Sequence, residues 1–147
     1  SSAALQTAIT AMSKFKDDKG RVMGVRADTL VVPPDLEWTA REILESTFWP
    51  DATGTSNYQK LANNTLKGRL ELVVSPYLTD ATDWFVLCTS GIIKPLILQR
   101  RTQVEFESLE SSSESGFLRD QFLYGVRARY NAGYGMWQFA YGSQVSG

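Results

Sequence analysis

Strict two-residue alternation near the C-terminus limits the fold more than any other feature of this chain. Phe122, Tyr124, Val126, Ala128 and Tyr130 fall on one face of an extended segment, and Leu123, Gly125, Arg127, Arg129 and Asn131 on the other. Period-two patterning of this kind marks a half-buried strand. Asn131-Ala132-Gly133 then reads as a tight turn, with Gly133 suited to a positive φ. Beyond it, Tyr134, Met136, Gln138 and Ala140 alternate with Gly135, Trp137, Phe139 and Tyr141, which predicts a terminal β-hairpin. Its aromatic residues are spread over both faces. That distribution suits a layer packed on one side by core and on the other by a missing segment or a partner.

Upstream, the periodicity changes to that of helices. Leu5, Ile9, Met12 and Phe15 predict an amphipathic helix over about residues 2–17, with Lys16–Gly20 ending it in a turn. Thr29–Val32 is a short apolar strand stopped by Pro33-Pro34. Asp35 stands where an N-cap belongs, with Glu37 placed favourably against the helix dipole. The second helix runs to about Ser46 and buries Leu36, Ala40, Ile43 and Leu44. Trp38 points away from that stripe, either lying on its own surface or meeting another subunit. Residues 49–66 read as a long loop with a helical turn near Tyr58–Ala62. Strands follow over Leu70–Ser75, Trp84–Thr89 and Leu96–Thr102, the last extending through Val104–Leu109. Residues 110–116 form a polar connector, and this stretch and residues 50–57 are expected to be the most mobile internal segments. Two helices followed by mostly antiparallel strands give an α+β class.

Composition closes off most chemistry. The chain of 147 residues contains no histidine. That removes the commonest general base and transition-metal ligand, and with it Ser-His-Asp and Cys-His catalysis. Asp17-Asp18 and Asp80 with Asp83 are the nearest approach to paired carboxylates, but both lie in turn-like polar sequence. Gly20–Gly24 and Gly133–Gly135 lack the strand-loop-helix order of a phosphate loop. The expectation is no catalytic residue, no cofactor and no metal. The single cysteine, Cys88, excludes an internal disulfide and sits in an apolar strand as a buried thiol. Net charge is −1, so no general electrostatic footprint for nucleic acid is present. No apolar run approaches the ~20 residues that cross a bilayer, and no signal peptide is visible. Arg100-Arg101 and Arg127/Arg129 are the basic clusters. They read as a solvated face with cross-strand ion pairs, or as inter-subunit salt bridges, or as contacts with DNA.

The stretch 117–143, FLRDQFLYGVRARYNAGYGMWQFAYGS, resembles the C-terminal end of the Mu-like prophage major head subunit, the major capsid protein of Mu-type tailed phages. Four further segments agree in order: Gly20–Leu36, Asn64–Tyr77, Asp83–Thr89 and Ile93–Gln99. Such subunits are roughly twice as long, so the resemblance implies a C-terminal half. It implies the tailed-phage capsid fold, with an axial domain over residues 1–100 and a connector plus a hairpin returning to the peripheral domain over residues 101–147. The family's spine helix, extended loop and N-terminal arm would lie outside this chain. The implied role is structural and non-enzymatic: self-assembly into an icosahedral head shell in the virion, built in the bacterial cytoplasm. Partners would be copies of itself, other head proteins and, only indirectly, packaged DNA, with no membrane. The piece alone would be a monomer or weak oligomer. Candidate subunit contacts are Trp38, Tyr124, Arg127, Arg129, Tyr130, Tyr134 and Trp137. Some capsids of this fold crosslink lysine to asparagine, but no such motif carries over to Asn63, Asn64 or Asn131. The alternative is a small ligand- or carbohydrate-binding α+β domain, which would show a closed fold with a concave pocket.

Overall fold

A computed structural model describes residues 1–48, 63–109 and 123–144. The expected loop core at 49–62, its helical turn, the 110–116 connector and both mobile segments lie outside the described residues. The chain divides into two compact units, Ser1–Pro95 with Gly135–Gly147, and Leu96–Tyr134.

The first unit begins with helix α1, Ser2–Ser13. The Ser1 hydroxyl accepts the Ala4 N–H at 3.4 Å, and Leu5, Ala8, Ile9 and Met12 line the buried side. The helix stops short of the expected residue 17. Asp17 competes for backbone donors instead, accepting the N–H groups of Lys19 and Arg21 at 2.9 and 2.8 Å. A bridge between Lys16 and Val22 closes that turn. Phe15 still packs on the core, from outside the helix.

Strand β1, Thr29–Val32, ends at the buried Pro33. A 3-10 turn over Pro34–Leu36 leads into helix α2, Glu37–Glu45. Asp35 is therefore not an N-cap. It lies inside the 3-10 turn, the cap positions fall to Pro33 and Leu36, and neither makes a side-chain cap bond. The expected apolar stripe is present, with Ala40, Ile43 and Leu44 buried and Leu36 packed against the core. On the solvent side Arg41 bridges Glu37 and Glu45 at 2.9 and 3.2 Å, the i,i±4 spacing of neighbouring helical turns.

Helix α2 carries the chain across to β2, Glu71–Val74, which runs parallel to β1. Parallel neighbours need such a crossover. Strand β3, Trp84–Leu87, pairs antiparallel on the other side of β1. The sheet closes with β6, Ala140–Ser143, giving the order β2-β1-β3-β6. Both helices contribute to a core centred on Met12, Leu30, Val32, Ile43 and Val86. Cys88 is buried there as expected.

The second unit is a two-stranded antiparallel ribbon: β4, Leu96–Leu109, paired with β5, Leu123–Tyr134. This corrects the expected hairpin. Asn131, Ala132 and Gly133 do not turn; they pair with Gln99, Leu98 and Ile97 inside the ribbon. Gly133 is not among the glycines with positive φ. The chain after Tyr134 joins the first unit, where Trp137–Phe139 forms a 3-10 turn before β6. Residues 101–147 are therefore not one returning hairpin. Backbone pairing carries no residue identity, so alternation located the strand but not its neighbour. The described residues are α+β, with two helices and a mostly antiparallel set of strands.

Candidate interaction surface

Register determines what each ribbon face presents. On one face Tyr134 stands opposite Leu96, Ala132 opposite Leu98, and Val126 opposite Phe106. Tyr130 and Tyr124 belong to the same face by period two. Phe106 and Tyr124 stack with centroids 5.9 Å apart. Leu96, Leu98, Phe106, Tyr124, Val126, Tyr130 and Tyr134 are each between 50% and 87% exposed. None of the ribbon's described side chains is buried. A lone two-stranded ribbon is at best marginally stable in water. A bare apolar face of this extent marks an interaction site.

The opposite face carries Ile97 at one end and is otherwise mostly polar. Arg127 faces Glu105 across the strands, with Nη2 and Nε each 2.7 Å from Oε2, and also reaches Glu107 at 3.4 Å. The expected cross-strand ion pairs are thus realised for Arg127. Arg129 stands opposite Thr102 without an ion pair among the described residues. Register shifts between Arg100 and Thr102, and again before Glu105, interrupt the ladder here. Such bulges bend a strand and increase its twist.

Of the candidate contacts, Trp38 and Trp137 belong to the first unit, and Tyr124, Tyr130 and Tyr134 lie on one face of β5 in the second. Trp38 is 77% exposed on α2, away from the core stripe. Trp137 is exposed too, but its ring packs edge-on against Phe15 at 5.2 Å. The ribbon's described aromatics, Phe106, Tyr124, Tyr130 and Tyr134, lie on one face. They are interleaved with Leu96, Leu98 and Val126 rather than with amides and carboxylates, which does not suit a sugar-stacking platform.

The first unit contains an apolar cleft of about 220 Å³, walled by Leu5, Leu30, Val32, Ile43 and Trp84. It falls below the ~300–1,000 Å³ of drug-sized ligand sites. Among the described residues that line it, no side chain is acidic or basic. Among the described residues Asp28 is the most heavily hydrogen-bonded carboxylate. Burial opposes its charge, but the N–H groups of Thr89 and Ser90 and the Thr29 hydroxyl outweigh this and hold its pKa below the usual value. Asp17, held low by the Arg21 N–H, and Asp80, held low by the Thr82 hydroxyl, are turn acceptors. Among the described residues, no group of three or more acidic, cysteine or histidine side chains could hold a metal ion.

Sequence reasoning missed Asp28 and Asn64. Asn64 is buried, its amide donating to the carbonyls of Ile43 at 2.6 Å and Ser46 at 3.1 Å, while its Oδ1 accepts the Leu66 N–H. It thereby occupies carbonyls that the end of α2 leaves unpaired. Nothing local in the sequence signals such a long-range cap.

The family described as Mu-like prophage major head subunit gpT matches residues 1–78 and 79–146. The chain is 38% identical over 65 residues to the Mu-like prophage FluMu major head subunit of Haemophilus influenzae (strain ATCC 51907 / DSM 11121 / KW20 / Rd), covering 44% of this chain and 21% of that protein. It is 34% identical over 67 residues to the major capsid protein of Escherichia phage Mu, covering 46% of this chain and 20% of that protein. A chain of the solved procapsid of bacteriophage JBD30, computed in I4 symmetry, aligns at 25% identity and a TM-score of 0.36 over 97% of this chain and 39% of that one. The aligned part spans about a fifth of the curated relatives' length. The chain belongs to the Mu-like prophage major head subunit family.

Proposed function

We propose that this chain is part of a structural, non-enzymatic subunit that associates with copies of itself to build a phage or prophage head shell. The observation that carries this reading is the ribbon's apolar face, bare along β4 and β5 from Leu96 to Tyr124. At ~25 cal/mol per Å², covering a few hundred Å² of such surface contributes several kcal/mol. A side chain set this apolar would be a liability on a protein that functions alone. Family membership supports the same role.

In this reading the subunit contacts are Trp38, Tyr124, Arg127, Arg129, Tyr130, Tyr134 and Trp137. The sheet unit takes the place of the axial part of a capsid subunit, with β6 included, and the ribbon belongs to the peripheral part. The shell is the virion capsid, assembled in the bacterial cytoplasm. Other head proteins are further partners, and packaged DNA is contacted only indirectly.

Electron microscopy of the full-length head subunit, expressed alone, tests the proposal. Shells or capsomers are the expected product. Placing charge on the apolar face with Leu98→Glu and Val126→Glu should abolish them. Full-length protein that stays monomeric at high concentration would defeat the reading.

A further inference from the structure

The first unit carries a hole and a knob of matching chemistry. The hole is the cleft of about 220 Å³, walled by Leu5, Leu30, Val32, Leu36 and Ile43. An apolar cavity of about 150 Å³ lined by Leu, Ile and Phe stays dry and takes up benzene. A space roughly half as large again suits a fused bicyclic ring. Two exposed hydroxyls, those of Thr39 and Thr82, also line the cleft. Thr39 makes no side-chain hydrogen bond among the described residues. Thr82 gives its hydroxyl proton to Asp80 at 2.7 Å, which leaves its oxygen able to accept. An indole meets both conditions, an apolar bicyclic body and one N–H donor that needs an acceptor when buried.

The chain has four tryptophans. Among those described, Trp84 is itself a wall of the cleft, and the Trp137 ring lies edge-on against Phe15. Trp38 is 77% exposed and makes no ring contact among the described residues. It cannot fill the cleft of its own copy. Leu36, Ala40 and Ile43 turn one side of α2 to the cleft, and Trp38 lies about 140–200° around the helix from them.

We infer that the indole of Trp38 docks into this cleft on a second copy of the chain. Knob and hole face different ways from α2, so a copy that gives its Trp38 keeps its own cleft open for the next. Head-to-tail contacts of this kind close into rings or run on as filaments. Tryptophan seated in a pocket is enriched among the residues that carry most of the binding energy of an interface. Its side chain buries about 150–250 Å². A stable interface takes about 800 Å² per partner, so Trp38 is one anchor within a wider contact. The inference rests on the self-association reading and specifies one of its contacts.

The 147-residue chain carrying Leu98→Glu and Val126→Glu, which silence the ribbon's apolar face, is the background for the test. In it Trp38→Ala removes the knob and Thr39→Arg obstructs the hole. Both residues are exposed, so neither change disturbs the core. Analytical ultracentrifugation at up to about 1 mM protein reaches contacts of millimolar Kd. The background chain should associate, and each variant alone at least about tenfold more weakly. Mixed, the two variants should form a one-to-one dimer and nothing larger. Trp38 of the Thr39→Arg chain then fills the open cleft of the Trp38→Ala chain, and no second knob or hole is left. A dimer from the mixture also shows that both variants fold. A background chain that stays monomeric, a variant that associates as the background does, or a mixture without dimer overturns the inference. Free indole should compete and disperse the background chain. Indole that binds the cleft without weakening association would assign the cleft to a small aromatic ligand instead. Full-length subunits that build shells unchanged by Trp38→Ala would sink this contact while leaving the head-shell reading intact. Unaltered full-length subunits that stay monomeric would defeat both.

Discussion

The carboxylate of Asp28 accepts the backbone N–H of Thr89 through both oxygens, at 2.8 Å each. Its Oδ2 also takes the Ser90 N–H at 2.7 Å, and its Oδ1 the hydroxyls of Thr29 and Thr89 at 2.9 and 3.0 Å. One side chain at the entry to β1 thus anchors the chain leaving β3. The Thr89 carbonyl in turn accepts the Lys94 ammonium.

Asp28 should make stability depend on acid. Its folded pKa is held below the reference value of 3.8. A depressed carboxylate stabilises the fold above its unfolded pKa and loses that contribution as pH falls through its folded pKa. Asp28→Asn, which cannot accept through both positions, should cost about 1–3 kcal/mol at neutral pH. The gap between the two proteins should close below about pH 4 and vanish once Asp28 is protonated. Urea melts across that range measure it, and a gap that persists at the acid end would contradict the assignment.

Gly135 lies against the backbone just before the ribbon. Its N–H donates to the Pro95 carbonyl at 2.9 Å, and a Cβ there would collide with the Lys94 carbonyl oxygen. Backbone cannot rotate away as a side chain can. Gly135→Ala should therefore destabilise by about 1–3 kcal/mol. Gly133→Ala, where a Cβ meets nothing within 4 Å and φ is not positive, should be neutral or slightly stabilising. Thermal melts of the two variants should separate clearly.

Asn64→Ala removes a buried amide that spans α2 and the segment before β2. It leaves the Leu66 N–H and the Ile43 carbonyl without this partner, each group costing about 1–3 kcal/mol when left unsatisfied. A loss of about 2–4 kcal/mol in chemical denaturation is expected. A variant as stable as the parent would show that water replaces the amide without penalty.

Asp35→Ala should change stability by less than about 0.5 kcal/mol, as for an exposed residue away from any special contact. A sequence-only reading gives about 1 kcal/mol, the usual cost of losing an N-cap. The difference follows from the 3-10 turn that places Asp35 inside the turn rather than at the start of α2. Equilibrium unfolding that shows the larger loss would restore the cap.

Much of the first unit was legible in the sequence because its signals are local. The stripe Leu36, Ala40, Ile43 and Leu44 needs only helical geometry, and the strands at Thr29, Glu71 and Trp84 need only short apolar runs between breakers. Helix α1 was overextended because Phe15 matches the helical period while Asp17 draws backbone donors out of it. Period two put Tyr124 and Tyr130 on one face of a strand, as they are in β5, but it placed Tyr134 beyond a turn, whereas Tyr134 ends the same strand. Trp137 was grouped with them on the false premise of a turn at Asn131–Gly133.

By itself the sequence determined the family resemblance, the α+β class, the period of each segment and the exclusion of histidine chemistry. Tertiary structure alone decided which strands meet. Alternation prescribes a strand's two faces but not its neighbour, because the ladder is made by N–H and C=O groups common to every residue. That is why β5 lies along β4 while β6 completes the sheet beside β3. The same non-local pairing sets Glu105 against Arg127 and leaves Arg129 opposite an uncharged Thr102.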